Sequence, residues 1–342
     1  MVHDELLVPL VRLGLCRSSD TPRFERLTGG VSSDIWRVDL EDRVICVKRA
    51  LEKLRVQADW FAPVERNIYE AAWMRDVAAI MPDAVPALLG QDESSGLLAM
   101  DFLPPERFPL WKDLLSQGNA EPDIAAKVGK RLVTIHRKSA GDPSLGTRFP
   151  EEKIFFDIRL EPYLMATAAH HADCAEALHG LVEQTRTNRR TLVHGDVSPK
   201  NILIGPSGPV FLDAECACFG DPAFDLAFCL NHLLLKGLWV PSSKDDFLRC
   251  FDAMSAAYLE DVDWEAPAAF EARAAGLLPG LLLGRVDGKS PVEYLTKKRD
   301  KDKVREIART FLKNRPRQLQ TIAKAWHQHA SVDDRQGRRP PA

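Results

Sequence analysis

One stretch constrains this chain more than any other: residues 191–213, where three short apolar runs alternate with two polar loops. Thr191-Leu192-Val193, Ile202-Leu203-Ile204 and Val210-Phe211-Leu212 have the length and the β-branched or aromatic content of strands. Gly205-Pro206-Ser207-Gly208 separates the second from the third with turn residues, which predicts a hairpin. The loop after the first run, His194-Gly195-Asp196-Val197-Ser198-Pro199-Lys200-Asn201, is too tight for a helix. Asn201 falls where the chain re-enters a strand, and Asp213 ends the strand after the turn. Such a hairpin brings Asn201 and Asp213 side by side, with Asp196 facing them.

Two carboxylates and an amide oxygen make a hard, oxygen-only site. That suits magnesium, which takes few protein ligands and keeps room for phosphate oxygens. Phosphoryl transfer needs a metal, positioning, and a group that accepts the hydroxyl proton. In that chemistry Asp196 is the base, and Asn201 and Asp213 are the metal ligands. A single Asp–Asn pair would mean little. The ordered set of His194, Asp196, Asn201 and Asp213 is what argues against a chance match.

The first hundred residues read as strands around one helix. Ile35 to Leu40 and Arg43 to Lys48 form a hairpin across Glu41-Asp42. Residues 63–79 carry helical spacing at Ile68, Ala71, Ala72 and Arg75, and Pro63 suits a first turn. Val85 to Gln91 and Gly96 to Asp101 are two further strands. Pro104-Pro105 breaks the pattern, so the boundary between units is placed there. Beyond it the chain turns helical: residues 123–138, 155–170, 174–184, and again from Phe224 onward. The predicted organisation is an N-terminal unit over 1–103, a mainly helical unit over 104–330, and a polar, disordered tail over 331–342. The fold class is α+β.

Composition excludes some classes. The net charge of −3 gives no electrostatic case for nucleic acid. Seven cysteines, an odd number without a CxxC pair, predict reduced thiols in a cytoplasmic protein. The N-terminus lacks a basic segment followed by an apolar core, which predicts no secretory signal. The longest apolar run, residues 274–284, contains Pro279 and is too short for a bilayer, so no membrane partner is expected. A homodimer is compatible with this sequence.

The HGDxxxxN pattern, followed by a strand ending in Asp, resembles the aminoglycoside phosphotransferase and choline kinase superfamily, from about Phe24 to Leu235. The resemblance implies a bilobal, protein-kinase-like fold that uses ATP and magnesium. It implies that Gly29, Gly30, Ser32 and Ser33, in the first hairpin turn, cover the phosphates. Lys48 would hold the α- and β-phosphates, with Glu70 as its acidic partner and Glu65 as the competing choice. Backbone groups near Asp101 and Leu103 would meet the adenine edge. Asp213-Ala214-Glu215 stands where protein kinases have Asp-Phe-Gly and looks like the methylthioribose kinase branch, which adds Glu215 as a metal ligand. No Ala-Pro-Glu signature follows, so a small-molecule hydroxyl is the expected acceptor rather than a peptide.

For the acceptor, Asp157 and Arg159 in one segment, and Arg285 and Lys289 in a Gly/Pro loop between helices, are the candidates. The acidic run Glu260-Asp261-Val262-Asp263-Trp264-Glu265 suggests the opposite charge, a cationic acceptor, or else a solvated loop. The rival function is a catalytically silent nucleotide-binding or scaffold protein of the same fold. Retention of Lys48, Asp196, Asn201 and Asp213 together speaks against it.

Overall fold

The computed structural model describes residues 2–27, 33–51, 65–150 and 152–336. The N-terminal part is a five-stranded antiparallel sheet built from β1 (Arg23–Leu27), β2 (Ser33–Asp39), β3 (Val44–Ala50), β4 (Leu88–Asp92) and β5 (Leu97–Asp101). Its order is β1-β2-β3-β5-β4. Before it runs α1 (Val2–Arg12), and between β3 and β4 comes α2 (Arg66–Ile80). The central strand β3 is covered on both faces. Ile45 and Val47 pack with Leu6 and Leu10 of α1, while Cys46 packs into the main core, which α2 joins through Ala71, Trp73, Met74 and Val77. Side-chain alternation along a strand explains this division. It also sends Lys48, two residues on from Cys46, to the face that carries α2.

After β5 the chain leaves the sheet and becomes helical. α3 (Trp111–Ser116), α4 (Pro122–Ser139), α5 (Pro143–Arg148) and α6 (Glu152–Phe155) lead into a π-helical stretch, Phe156–Met165, and α7 (Ala166–His170). Sequence reading expected one regular helix over 155–170. Pro162 lies inside it and has no N–H for the helical ladder, so the turn widens around it. Then come α8 (Ala175–Thr187), β6 (Thr191–Val193), β7 (Ile202–Gly205), β8 (Gly208–Phe211) and β9 (Cys218–Gly220). β7 pairs with β8 as the expected hairpin, and β6 pairs with β9.

Four helices close the chain after α9 (Ala223–Trp239): α10 (Lys244–Leu259), α11 (Pro267–Asp287), α12 (Lys298–Lys313) and α13 (Leu319–Gln336). α9 is buried along nearly its whole length, as a helix apolar on all sides must be. α4 and α10 approach at Gly129, where an added Cβ would lie 2.6 Å from the Met254 carbonyl oxygen. The segment read as a loop around Arg285 is instead the last turn of α11. Its apolar run through Leu281, Leu282, Leu283 and Val286 is buried and keeps the helix going. No single helix among the described residues is long and apolar enough to cross a membrane. Of the segment read as a polar tail, residues up to Gln336 continue α13, and 337–342 lie outside the described residues.

Candidate active site

The site grows out of the turn after β6. Gly195 has φ 80°, a left-handed value that glycine adopts without strain. An added Cβ there would also lie 2.8 Å from the Cys216 carbonyl oxygen. The N–H groups of His194 and Gly195 both donate to the Asp225 carboxylate, at 2.7 and 2.8 Å. Asp225 sits in the first turn of α9, so this helix fixes the turn from below. His194 Nδ1 accepts the Asp196 N–H at 3.1 Å, which leaves the proton on Nε2 to be donated to the Leu212 carbonyl at 3.0 Å. His194 is thus a strut between the two loops, packed edge-on against Trp73.

The Asp196 carboxylate is buried, and its contacts converge on Oδ2. Arg159 Nη2 lies 2.8 Å away, Asn201 Nδ2 donates at 2.9 Å and Lys200 Nζ stands at 3.1 Å. Asn201 ends a short 3₁₀ turn, and its carbonyl accepts the Leu212 N–H at 2.9 Å. Asp213 follows directly and is the one non-glycine residue with positive φ among the described residues. Such backbone strain collects at functional sites. From the sheet, Lys48 Nζ donates to Glu70 Oε2 at 2.7 Å and also pairs with Asp213 Oδ1. One ammonium therefore ties the five-stranded sheet, α2 and the β7–β8 hairpin together.

Residues 23–270 match the model of the phosphotransferase enzyme family. The chain belongs to this family. A methylthioribose kinase 1 from Oryza sativa subsp. japonica is 24% identical over 255 residues, 66% of this chain and 59% of the relative. The chain thus spans about three-fifths of the length of the curated relatives it matches. Among solved structures, a putative fructosamine-3-kinase from Thermobifida fusca superposes with a TM-score of 0.51 at 21% identity, covering 88% of this chain and 97% of that one. A Plasmodium vivax ethanolamine kinase gives 0.53 at 11% identity, covering 90% and 88%. These structural likenesses show the fold, which is the kinase-like fold expected from the sequence.

In this phosphotransferase-family chain the charges shape one another. Burial pushes the Asp196 carboxyl up, but the Arg159 and Lys200 cations outweigh it and hold it below the ordinary carboxylate range. Asp213 is likewise lowered, its burial outweighed by Lys48 and Lys200. Burial disfavours the charged Lys48, yet Asp213 and Glu70 more than compensate and raise it. Glu70 is raised, by burial first and by Asp213 and Glu215 against the pull of Lys48. Burial lowers His194, in keeping with its neutral hydrogen-bonding role.

The metal expectation can be tested on the donors present. Among the described residues no group of three or more His, Cys, Asp or Glu could hold an ion by itself. Among the described residues the Asn201 side chain bonds through Nδ2, and the Asp213 side chain is 25% exposed with one oxygen off Lys48. Two hard oxygen donors fit a magnesium ion that shares its other positions with nucleotide phosphates and water. Glu215 is differently placed: its Oε2 accepts from Arg66 Nε at 2.9 Å, deep in the protein. The pair links α2 to the strand end, and Arg66 had no local signal in the sequence.

The remaining candidates are scattered. Gly29, Gly30 and Ser32 lie outside the described residues. Ser33 opens β2, buried opposite Ala50. Asp101 ends β5, and its N–H is taken by the Ala87 carbonyl at 2.9 Å; Leu103 follows where the chain leaves the sheet. Glu65 precedes α2 and is exposed, while Glu70 meets Lys48. The Arg159 guanidinium is engaged by protein: its Nε donates to the Gly195 carbonyl at 2.7 Å, its Nη1 to the Ile158 carbonyl and its Nη2 to Asp196. Asp157 pairs with Lys153, one turn away on the surface. Lys289 is exposed and pairs with Glu161 at 2.5 Å. Arg285 is buried over the Tyr163 ring. Of the acidic run, Asp261 pairs with Lys130 at 2.6 Å and Glu265 with Arg273 at 2.6 Å, while Asp263 is exposed.

Proposed function

We propose that this chain transfers the γ-phosphoryl group of ATP to a hydroxyl of a small molecule such as a sugar, amino alcohol or aminoglycoside-like acceptor. The observation that carries the reading is Lys48 joined to both Glu70 and Asp213, with Asp196 and Asn201 packed beside that pair at the end of the same hairpin. Lys48 offers a fixed positive charge for phosphate oxygens, held in place by two carboxylates. Magnesium, when bound with the nucleotide, neutralises charge on the β- and γ-phosphates, and Asn201 and Asp213 are the residues that would hold it.

Asp196 presents Oδ1 to the acceptor while Oδ2 is anchored by Arg159, Asn201 and Lys200. A carboxylate with a lowered pKa is a weak base. Its work is then to orient the hydroxyl and to accept the proton as the new bond forms, not before. Lys200 stands next to the reacting oxygens and can offset charge there. The family membership and the curated relatives named methylthioribose kinase support a sugar-like acceptor. Asp213-Ala214-Glu215 resembles that branch in sequence, while Glu215 pairs with Arg66.

The direct test compares the wild-type chain with Asp196→Asn. Turnover should fall by about 10²–10⁴-fold, the range of a positioned proton acceptor. The dissociation constant for Mg–ATP, read by calorimetry, should move by less than about threefold, below the ~0.7 kcal/mol of a minor contact. An Asp196→Asn protein that turns over near the wild-type rate would refute the assignment.

A further inference from the structure

Behind the hairpin, α9 carries Phe228, His232 and Lys236 at four-residue intervals, one stripe of the helix. The Lys236 side chain is 2% exposed, and its ammonium has no hydrogen-bond partner among the described residues. It lies 4.7 Å from the Trp239 ring centroid and 4.5 Å from that of Tyr294. Those two half-exposed rings stack at 4.9 Å and form the outer rim. The Tyr294 hydroxyl approaches His232 Nδ1 at 3.4 Å, and His232 packs edge-on against Phe228. Phe228 in turn touches Tyr163, over which the Arg285 guanidinium lies at 5.1 Å. These contacts form one continuous cluster, with a buried cation at either end.

Neither cation has a carboxylate in ion-pair range among the described residues. Arg285 donates only to neutral groups, the Tyr163 hydroxyl and Ser290, and its Nε has no partner. The nearby acids are spoken for or distant: Glu293 pairs with Lys112 at 2.8 Å, and Asp113 lies on α3 beside it. Taking a cation out of water without a counter-ion costs several kcal/mol. The aromatic faces return part of that. Burial lowers the Lys236 ammonium to about 8, so at neutral pH it still carries its charge most of the time. On the same helix, Asn231 is fully buried with both amide atoms unpartnered among the described residues.

The cluster also borders the reacting centre. Arg159, whose Nη2 lies 2.8 Å from the Asp196 carboxylate, precedes Tyr163 by four residues in the same π-helical stretch. We propose that this cluster is the acceptor subsite for an anionic group: the phosphorylated alcohol carries a carboxylate or phosphate that supplies the missing counter-charge to Lys236 and Arg285. The proposal rests on the phosphotransferase reading above and narrows it. A quaternary or primary ammonium acceptor is disfavoured, because the aromatic pair that would cradle it already holds the protein's own ammonium.

The test uses the full chain with Mg–ATP and matched alcohols: glycerate and gluconate against glycerol, glucitol, ethanolamine and choline. The proposal expects the best kcat/KM among the carboxylate-bearing alcohols. Lys236→Met should raise the KM for that acceptor by about 10- to 100-fold, the worth of one charged hydrogen bond, while the KM for ATP moves less than about twofold. Lys236→Arg should recover part of the loss, which a purely structural lysine would not show. Arg285→Gln should act in the same direction, and thermal melts confirm that each variant is folded. A best acceptor that is neutral or cationic, or a KM indifferent to Lys236→Met, overturns the anion subsite and leaves phosphoryl transfer standing. Failure to bind Mg–ATP, with no transfer to any alcohol, instead sinks the phosphotransferase reading and this inference with it.

Discussion

Asp196 gathers an arginine, a lysine and an amide on one oxygen, and in the proposed reaction the other meets the hydroxyl. A buried carboxylate stripped of such partners costs several kcal/mol, so Arg159 holds Asp196 in place for the proposed reaction. His194 makes the same point with a neutral group. Burial lowers its pKa, and that of His232 further still, with Arg285 and Lys236 adding to the effect. The unfolded chain therefore binds protons that the folded chain refuses. Stability rises with pH through the window below the ordinary histidine value of ~6.5 and is lost as pH falls through it. Urea denaturation at pH 7 and pH 5 should show a lower midpoint at pH 5, and a His194→Gln, His232→Gln double variant should narrow that gap. An equal gap in the variant would contradict the buried neutral histidines. At this scale the sequence was informative where partners are local. Asp196 and Asn201 are five positions apart, and Asp213 is one hairpin away. Arg66 and Glu215 are 149 positions apart, and nothing beside either residue announces the other.

Helix α9 joins the two proposed sites along its length. Its first turn holds the His194-Gly195 turn through Asp225, and its last turns carry His232 and Lys236. Asp225→Asn leaves one buried backbone N–H without its carboxylate oxygen. The cost should be about 1–3 kcal/mol, read as a shift in denaturation midpoint, together with a fall in turnover. A stability change below about 0.5 kcal/mol, the scale of a surface substitution, would show that the turn holds itself. Elements were legible where the pattern had one period. The β2–β3 and β7–β8 hairpins follow from short alternating runs and turn residues. The first helix, α1, was not read, although Leu6 and Leu10 at helical spacing bury against the sheet. β9 was missed because Cys218-Phe219-Gly220 is a strand only through its pairing with β6. α11 was ended too early because Gly284 and Gly288 look like loop residues. In the structure, Gly284 is there to let the Tyr163 carbonyl approach the helix, where any Cβ would collide with it.

On the scale of the molecule, the Lys48 ammonium is a joint between the antiparallel sheet and the helical part that follows it. The bilobal α+β arrangement was legible because the change from strand to helix pattern at Pro104-Pro105 is abrupt. The proposed acceptor subsite was not, because its cations come from α9 and α11, far apart in sequence and joined only by packing. The central claim is that this joint and the Asp196 loop together move a phosphoryl group from ATP to an alcohol. Phosphorus NMR of the full chain with Mg–ATP and the alcohol panel follows that transfer directly. The account predicts ADP and a single new phosphomonoester appearing in equal amounts, with neither formed by Lys48→Met. ATP left intact with every alcohol, or broken down only to ADP and free phosphate whichever alcohol is present, would contradict it.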